Sequence, residues 1–363
     1  MPAALAAVMT GPGRTELHEL PLPTLSEDDG LLRVEICGVS EADPILFRRG
    51  DIAPVILGHE IVGTIERLGS VAARRWKVRE GDRVVLQEYI ACGACRWCAS
   101  GEYRLCASAQ PNAPGFLRYG MTGTNTPPAL WGGFAQYLYL HPHSILHTVP
   151  ASLPSSRAAL CLPLANAVQS VQLEPALTPG KTVLIFGAGL IGLCAVAAAR
   201  RADAREIILC GMTREETRFA QARGLGAHHT LCADADGFAE AIAEATKGAG
   251  ADIVIDTTAD TSGRVAATAI ASAAVGATLV LGGIGAIPLN MGEIRRKYLG
   301  LRPVRGHGSE AVARALALLA DAPPGIEKLA GKRFSLSEAD AALRAGDDAV
   351  SPDILRAELH PRM

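Results

Sequence analysis

Four cysteines, Cys92, Cys95, Cys98 and Cys106, stand in the run ACGACRWCASGEYRLC with the spacing C-x2-C-x2-C-x7-C. A tetrahedral zinc takes four thiolates at about 2.3 Å. The short spacings let one tight loop deliver three sulfurs, and the fourth closes the knuckle. Such a shell leaves no position open for substrate, so the expected zinc is structural. A second pattern, Gly187-Ala188-Gly189-Leu190-Ile191-Gly192, is a G-x-G-x-x-G between the strand-like TVLIF and an alanine-rich helical run. In that setting the first glycine makes a tight turn. The second lets backbone approach a pyrophosphate, and the third lets helix and strand pack closely. Free N–H groups at the helix start, with Leu190 and Ile191 in its first turn, suit phosphate.

The cofactor preference is read about 20 residues further on, where an acidic residue would bind the adenosine ribose of NAD. Gly211 occupies that place, followed by Thr213 and Arg214, with Arg218 one helical turn later. A hydroxyl and two cations in place of a carboxylate predict NADP(H).

The elements around these motifs fall into two textures. Up to about residue 160 the chain runs in short β-rich segments broken by Gly and Pro: 31–39, 60–69, 82–90 and 131–140. These predict a mostly β domain interrupted by the cysteine loop. From 161 to 306, strand-like runs at 182–186, 206–210, 252–256, 277–281 and 302–306 alternate with helical stretches. That alternation predicts parallel βαβ units with right-handed crossovers. Residues 307–363 drop the alternation, with a helix in SEADAALRAGD and a last strand in DILRAEL, and are expected to complete the first domain. The fold class is therefore α/β.

With 363 residues and a formal net charge of -2, the chain offers no global field for nucleic acid or an anionic membrane. Cys37, Cys161, Cys194, Cys210 and Cys232 are scattered through apolar stretches, as expected of reduced thiols in a cytoplasmic protein. The N-terminus lacks the basic start of a signal peptide. The apolar run 183–199 carries three glycines and reads as strand, turn and helix, not a membrane span. The H-x-H-x3-H run of His141, His143 and His147 contains Pro142 and reads as structural.

The cysteine loop, the glycine fingerprint and Gly58-His59-Glu60 together resemble the zinc-type alcohol dehydrogenases of the medium-chain dehydrogenase/reductase superfamily. GDRVV (81–85), GGFAQY (132–137) and GKTVLIFGAGLIG (180–192) extend the resemblance over nearly the whole chain. It implies a GroES-like β domain plus a Rossmann domain, a small-molecule substrate bound between them, and a homodimer or homotetramer. It also implies a second, catalytic zinc held by a Cys, a His and a Cys or Glu.

Here the sequence departs from the family. Ser40 stands where the first ligand cysteine belongs, in Gly38-Val39-Ser40-Glu41-Ala42-Asp43, and Ala42 replaces the proton-relay hydroxyl. Leu162 replaces the third ligand in Ala158-Ala159-Leu160-Cys161-Leu162-Pro163. Open zinc sites need three protein donors, so the catalytic zinc is expected to be absent. The expected activity is then hydride transfer from NADPH to an activated C=C, C=N or unusual carbonyl group. In that reading His59 is the proton donor or orienting group, and Ser40 bonds a substrate oxygen. Glu60 tunes His59 or takes a proton, and Asp43 orients the imidazole. Two alternatives stay open: a zinc alcohol or polyol dehydrogenase using Cys37 or Cys161 as a displaced ligand, and a non-redox cyclase or cofactor-binding regulator on the same scaffold.

Overall fold

The computed structural model describes residues 3–282, 288–347 and 353–363. The chain divides into two units. The first comprises Met1–Leu162, Gly308–Ala320 and Leu329–Met363, and the second Pro163–His307 and Asp321–Lys328.

The first unit opens with β1 (Ala3–Gly11), β2 (Arg14–Pro21), β3 (Gly30–Gly38), β4 (Val55–Ile56) and β5 (Glu60–Leu68). It continues through β6 (Arg83–Leu86), β7 (Tyr137–Leu140) and β8 (Leu146–Thr148). The second unit holds β9 (Thr182–Phe186), β10 (Glu206–Gly211), β11 (His229–Cys232), β12 (Ala251–Asp256), β13 (Ala273–Leu281) and β14 (Gly300–Pro303). The chain then returns to the first unit as β15 (Lys332–Phe334) and β16 (Ala357–Leu359).

In the first unit one sheet runs β15-β16-β3-β5-β6-β8, with β7 also on β3, and a smaller sheet runs β2-β1-β4. Strand β3 is the centre. Its apolar residues Leu31, Leu32, Val34, Ile36 and Cys37 are all buried. Antiparallel register sets Gly38 opposite both Glu60 of β5 and Glu358 of β16. Strand β6 stops at Leu86, shorter than the alternation in 82–90 suggests. Beyond it Gln87 N–H goes to Ile145 O and Glu88 O accepts from Tyr119 N–H. That divergence releases Glu88 from the sheet.

The expected strand at 131–140 is regular only over β7. Its glycine pair instead lies against the segment between β4 and β5. Gly133 N–H bonds Gly58 O at 2.8 Å and Phe134 N–H bonds Leu57 O at 3.1 Å. A Cβ on Gly132 would sit 1.9 Å from Ile56 O, so only glycine permits the approach.

The second unit is one parallel sheet in the order β11-β10-β9-β12-β13-β14. This is a doubly wound dinucleotide-binding sheet, with the strand order reversing beside β9. Strand β9 is buried along its whole length, as its unbroken Thr-Val-Leu-Ile-Phe requires. The edge strand β14 begins two residues before the strand expected at 302–306 and ends at Pro303, which has no N–H to give a ladder.

Candidate active site and metal centre

His59 lies in the short connection from β4 into β5, just after Gly58, which has φ 89°. A Cβ on Gly58 would fall 2.4 Å from the Phe134 ring and 2.7 Å from Cys37 Sγ. The histidine is thus set by a backbone that only glycine adopts without strain. The His59 side chain keeps 18% of its surface, and both ring nitrogens face carboxylates. Nε2 is 3.4 Å from Glu88 Oε2, and Nδ1 is 4.0 Å from Asp43 Oδ1. Arg118 holds the other Glu88 oxygen at 2.6 Å and lies over the Tyr89 ring, 5.0 Å from its centroid. An isolated bridge between Tyr89 and Arg118 fixes that pairing in the backbone. Neither Glu88 nor Arg118 belongs to a motif. The only signal was an acidic residue between a shortened strand and the first loop cysteine.

The other expected residues are spoken for. Ser40 donates its backbone N–H and its hydroxyl to Asp43 Oδ2, both at 2.8 Å, and Gly58 N–H reaches Oδ1 at 3.3 Å. Asp43, fully buried, therefore ties the Ser40 loop to the His59 segment. At 4.0 Å it does not make the hydrogen bond to the imidazole that would be the direct way for an Asp to orient it. Glu60 joins a buried ion-pair cluster. Its Oε2 is 2.9 Å from Arg356 NH1, while Arg356 Nε meets Glu358 Oε1 at 3.0 Å and NH2 donates to Ala159 O at 2.8 Å. A Cβ on Gly38 would lie 2.1 Å from this guanidinium, so the missing side chain makes its room. Burial pushes the Glu60 carboxyl up, against the pull of Arg356. A buried charge of this kind persists only when it is paired.

The positions that carry the family's first and third catalytic-zinc ligands offer no such donors here. The Ser40 hydroxyl is neutral and committed to Asp43, and Leu162 has no donor atom. The two thiols considered as replacements are both buried in protein. Cys37 Sγ sits within the core beside Gly133 and Ile61, and Cys161 Sγ is directed to Val312 O at 3.9 Å. Burial pushes both thiols up. Among the described residues, the one group of three or more His, Cys, Asp or Glu ligand atoms gathered for a metal is the loop of four cysteines.

That loop fits a structural metal. All four sulfurs lie within 4.8 Å of one another, with 3.8 Å between Cys92 and Cys98 and 3.6 Å between Cys95 and Cys98. Tetrahedral zinc with bonds of about 2.3 Å sets its sulfurs about 3.8 Å apart. Backbone N–H groups of Ala94 and Cys95 bring Cys92 down to about 6, while burial and neighbouring sulfurs leave Cys98 pushed up to about 12. Crowded thiols of opposed tendency call for a cation to hold all four as thiolates.

In the second unit, Gly187 has φ 107°, and a Cβ on Gly192 would strike Gly187 O at 1.9 Å. A Cβ on Gly189 would meet nothing within 4 Å. Two glycines thus serve the protein's own packing, and the middle one leaves open space for a ligand at the start of the helix Leu190–Arg201. Thr257, unmarked in the sequence, latches the turn through Oγ1 to Phe186 O at 2.8 Å. At the end of β10, Gly211 is packed against Ala188. Arg214 is exposed, whereas Arg218, expected as a second cation for the 2′-phosphate, is buried. It is 5% exposed and pairs with Glu215 at 3.3 Å. Apolar packing of its helix against the sheet carries it inward. Two carboxylates also lie where none was expected. Glu215 Oε2 accepts the Met212 N–H at 2.8 Å, and Asp234 Oδ1 accepts both N–H and Oγ1 of Thr213 at 2.8 and 2.9 Å.

The same two-part design recurs in known proteins. Residues 26–151 match the alcohol dehydrogenase GroES-like domain, and residues 191–321 match the zinc-binding dehydrogenase family. The chain belongs to the zinc-type alcohol dehydrogenases of the medium-chain dehydrogenase/reductase superfamily. Like other members it is an oxidoreductase with a GroES-like and a Rossmann portion. It is 36% identical over 283 residues to the "Probable alcohol dehydrogenase adh" of Mycobacterium tuberculosis, covering 77% of this chain and 75% of that one. To the sorbitol dehydrogenase of Bacillus subtilis it is 30% identical, over 93% of this chain and 92% of the relative. A protein assigned as a zinc-binding dehydrogenase from Sinorhizobium meliloti 1021, solved bound to NADP, superposes with a TM-score of 0.83 at 26% identity. That match spans 99% of this chain and 100% of the neighbour. Among the described residues of this dehydrogenase no helix is long and apolar enough to cross a membrane.

Proposed function

We propose that this dehydrogenase is an NADP(H)-dependent reductase that works without a catalytic zinc, delivering hydride to an activated C=C, C=N or unusual carbonyl carbon. The observation that carries the reading is the loss of donors at the family's ligand positions: Ser40 is tied to Asp43, Leu162 has no donor atom, and the thiols of Cys37 and Cys161 are buried in protein. Without a Lewis acid, the substrate must already be electrophilic at carbon. Bound NADPH supplies the hydride. His59 supplies the proton or orients the polar end of the acceptor, being a partly exposed group that donates through either nitrogen. Asp43 and Ser40 hold its loop in place, and Glu60 serves the Arg356 cluster, not the reaction.

The Rossmann unit binds the dinucleotide through Gly187, Gly189, Leu190, Ile191 and Gly192. Exposed Arg214, beside Thr213, favours the 2′-phosphate of NADP(H), as does the NADP in the Sinorhizobium neighbour. The structural zinc sits on Cys92, Cys95, Cys98 and Cys106. A cytoplasmic homodimer or homotetramer belongs to the same proposal, and light scattering on the purified protein reads its mass.

A second reading has one observation in its favour. Glu88 Oε2 and His59 Nε2 are 3.4 Å apart, close to the edge of about 3.3 Å expected for a tetrahedral zinc with N and O ligands near 2.0–2.1 Å. In that reading the chain is a zinc alcohol or polyol dehydrogenase with a displaced shell. Zinc content separates the two: one equivalent per chain for the first, two for the second. NADPH-oxidation assays over enones, cyclic imines and polyol-derived ketones then identify the acceptor.

A further inference from the structure

We propose that Glu88 is a positioning residue of the reaction, acting through His59 and itself held by Arg118. The inference rests on the role given to His59 above. Three observations carry it. Glu88 is 6% exposed, a depth at which a carboxylate is retained only with partners. One of its oxygens is fixed by the Arg118 guanidinium at 2.6 Å, and the other faces Nε2 of His59 at 3.4 Å. The backbone that sets this up is specific, since Glu88 O and the Tyr89–Arg118 bridge tie residues 88–89 to 118–119.

A neutral imidazole carries one N–H, and the acceptors around the ring decide which nitrogen has it. Glu88 is the nearer of the two carboxylates flanking His59, at 3.4 Å against 4.0 Å for Asp43. Glu88 therefore keeps the proton on Nε2 and fixes the plane of the ring. At 3.4 Å the contact is longer than a closed N–H···O bond. The Nε2 proton is thus oriented but not consumed, and a polar atom of an acceptor can share it at the exposed edge of the ring. Arg118 supplies the counter-charge that keeps Glu88 an acceptor; burial disfavours that cation, and the carboxylate restores it, leaving the guanidinium firmly charged.

The test combines a readout that needs no substrate with one that does. Imidazole nitrogen NMR on the protein labelled at histidine, with His59 assigned through a His59→Gln variant, reports which nitrogen is protonated. Wild type is expected to carry the proton on Nε2, and Glu88→Ala to move it to Nδ1, toward Asp43. A Glu88→Met/Arg118→Met variant removes both charges together, leaves no buried guanidinium alone, and is expected to show the same change. With an acceptor found as above, both variants are expected to lose about ten- to a hundredfold in kcat with KM within about threefold. Added acetate is expected to restore part of the loss in Glu88→Ala. An unchanged tautomer in both variants overturns the proposal, as does a metal bridging His59 and Glu88. If wild type reduces none of the acceptors, the reductase reading fails while the tautomer result still decides the role of Glu88.

Discussion

Ser40 gives both of its hydrogen bonds, from N–H and from hydroxyl, to Oδ2 of Asp43 at 2.8 Å. That relationship turns a ligand position of the family into a loop staple. The serine therefore contributes to holding the His59 segment and not to metal binding. Ser40→Ala leaves a buried Asp43 oxygen short of one donor, a loss of about 1–3 kcal/mol. Thermal unfolding is expected to show the loss, while zinc analysis shows no change in metal content. A Ser40→Cys/Leu162→Glu variant is expected to raise zinc by one equivalent, since it returns the two ligand types that the family carries at these positions.

The cysteine loop predicts a different phenotype. Cys106→Ser removes one donor from a shell whose sulfurs already lie at tetrahedral separations. Zinc is expected to fall from one equivalent toward none, and the melting temperature to drop by about 10 °C, from a loss of about 3 kcal/mol at 2–4 °C per kcal/mol. Metal analysis and calorimetry on the same sample check both.

Cofactor choice rests on Arg214. Arg214→Ala is expected to weaken NADPH binding about tenfold, the scale of one charge-assisted hydrogen bond, and to leave NADH binding within twofold. Titration calorimetry with each nucleotide measures it. Equal losses for the two nucleotides place Arg214 away from the 2′-phosphate. Glu215 and Asp234 then become the groups that set preference at the end of β10.

His59→Gln is expected to lower kcat about a hundredfold or more with little change in KM, as for loss of the group that donates to or orients the acceptor. Steady-state kinetics with a reducible acceptor checks the split.

A pH dependence of stability comes from His147, remote from this chemistry. Burial pushes its imidazole down to about 4, and Gln87 Nε2 lies 2.7 Å from its Nε2. The unfolded chain protonates near 6.5, so between about pH 6.5 and 4 the unfolded state binds more protons than the folded one. Stability from this group is complete above that window and falls by up to about 3 kcal/mol as pH drops through it. Carboxylates held down in the fold, such as Glu35 and Glu358, lose their contributions only below about pH 4.5. Melting temperatures at pH 7 and 5 are expected to differ less in His147→Gln than in wild type.

Most of the Rossmann strands were legible because local sequence decides them; β11, four half-buried residues at His229–Cys232, was missed for want of an apolar run. Thr182–Phe186 is an unbroken apolar run, and the fingerprint glycines answer constraints from atoms a few residues away. The four cysteines were legible for the same reason. What the sequence did not disclose depends on strands meeting from far along the chain. Arg356 reaches Glu60 only because β16 and β5 flank Gly38 of β3. Glu88 and Arg118, thirty residues apart, meet through one bridge beyond the end of β6. The burial of Arg218 was not legible because helix position alone does not reveal which face packs inward. Glu215 escaped notice because its carboxylate folds back toward the end of β10.

The number of metal ions that one chain holds, and their place, decides whether His59 works with a Lewis acid. Zinc quantified on protein purified without chelator, together with anomalous diffraction at the zinc edge, addresses this directly. One equivalent, confined to Cys92, Cys95, Cys98 and Cys106, is the predicted result. A second zinc peak on Nε2 of His59 would contradict it.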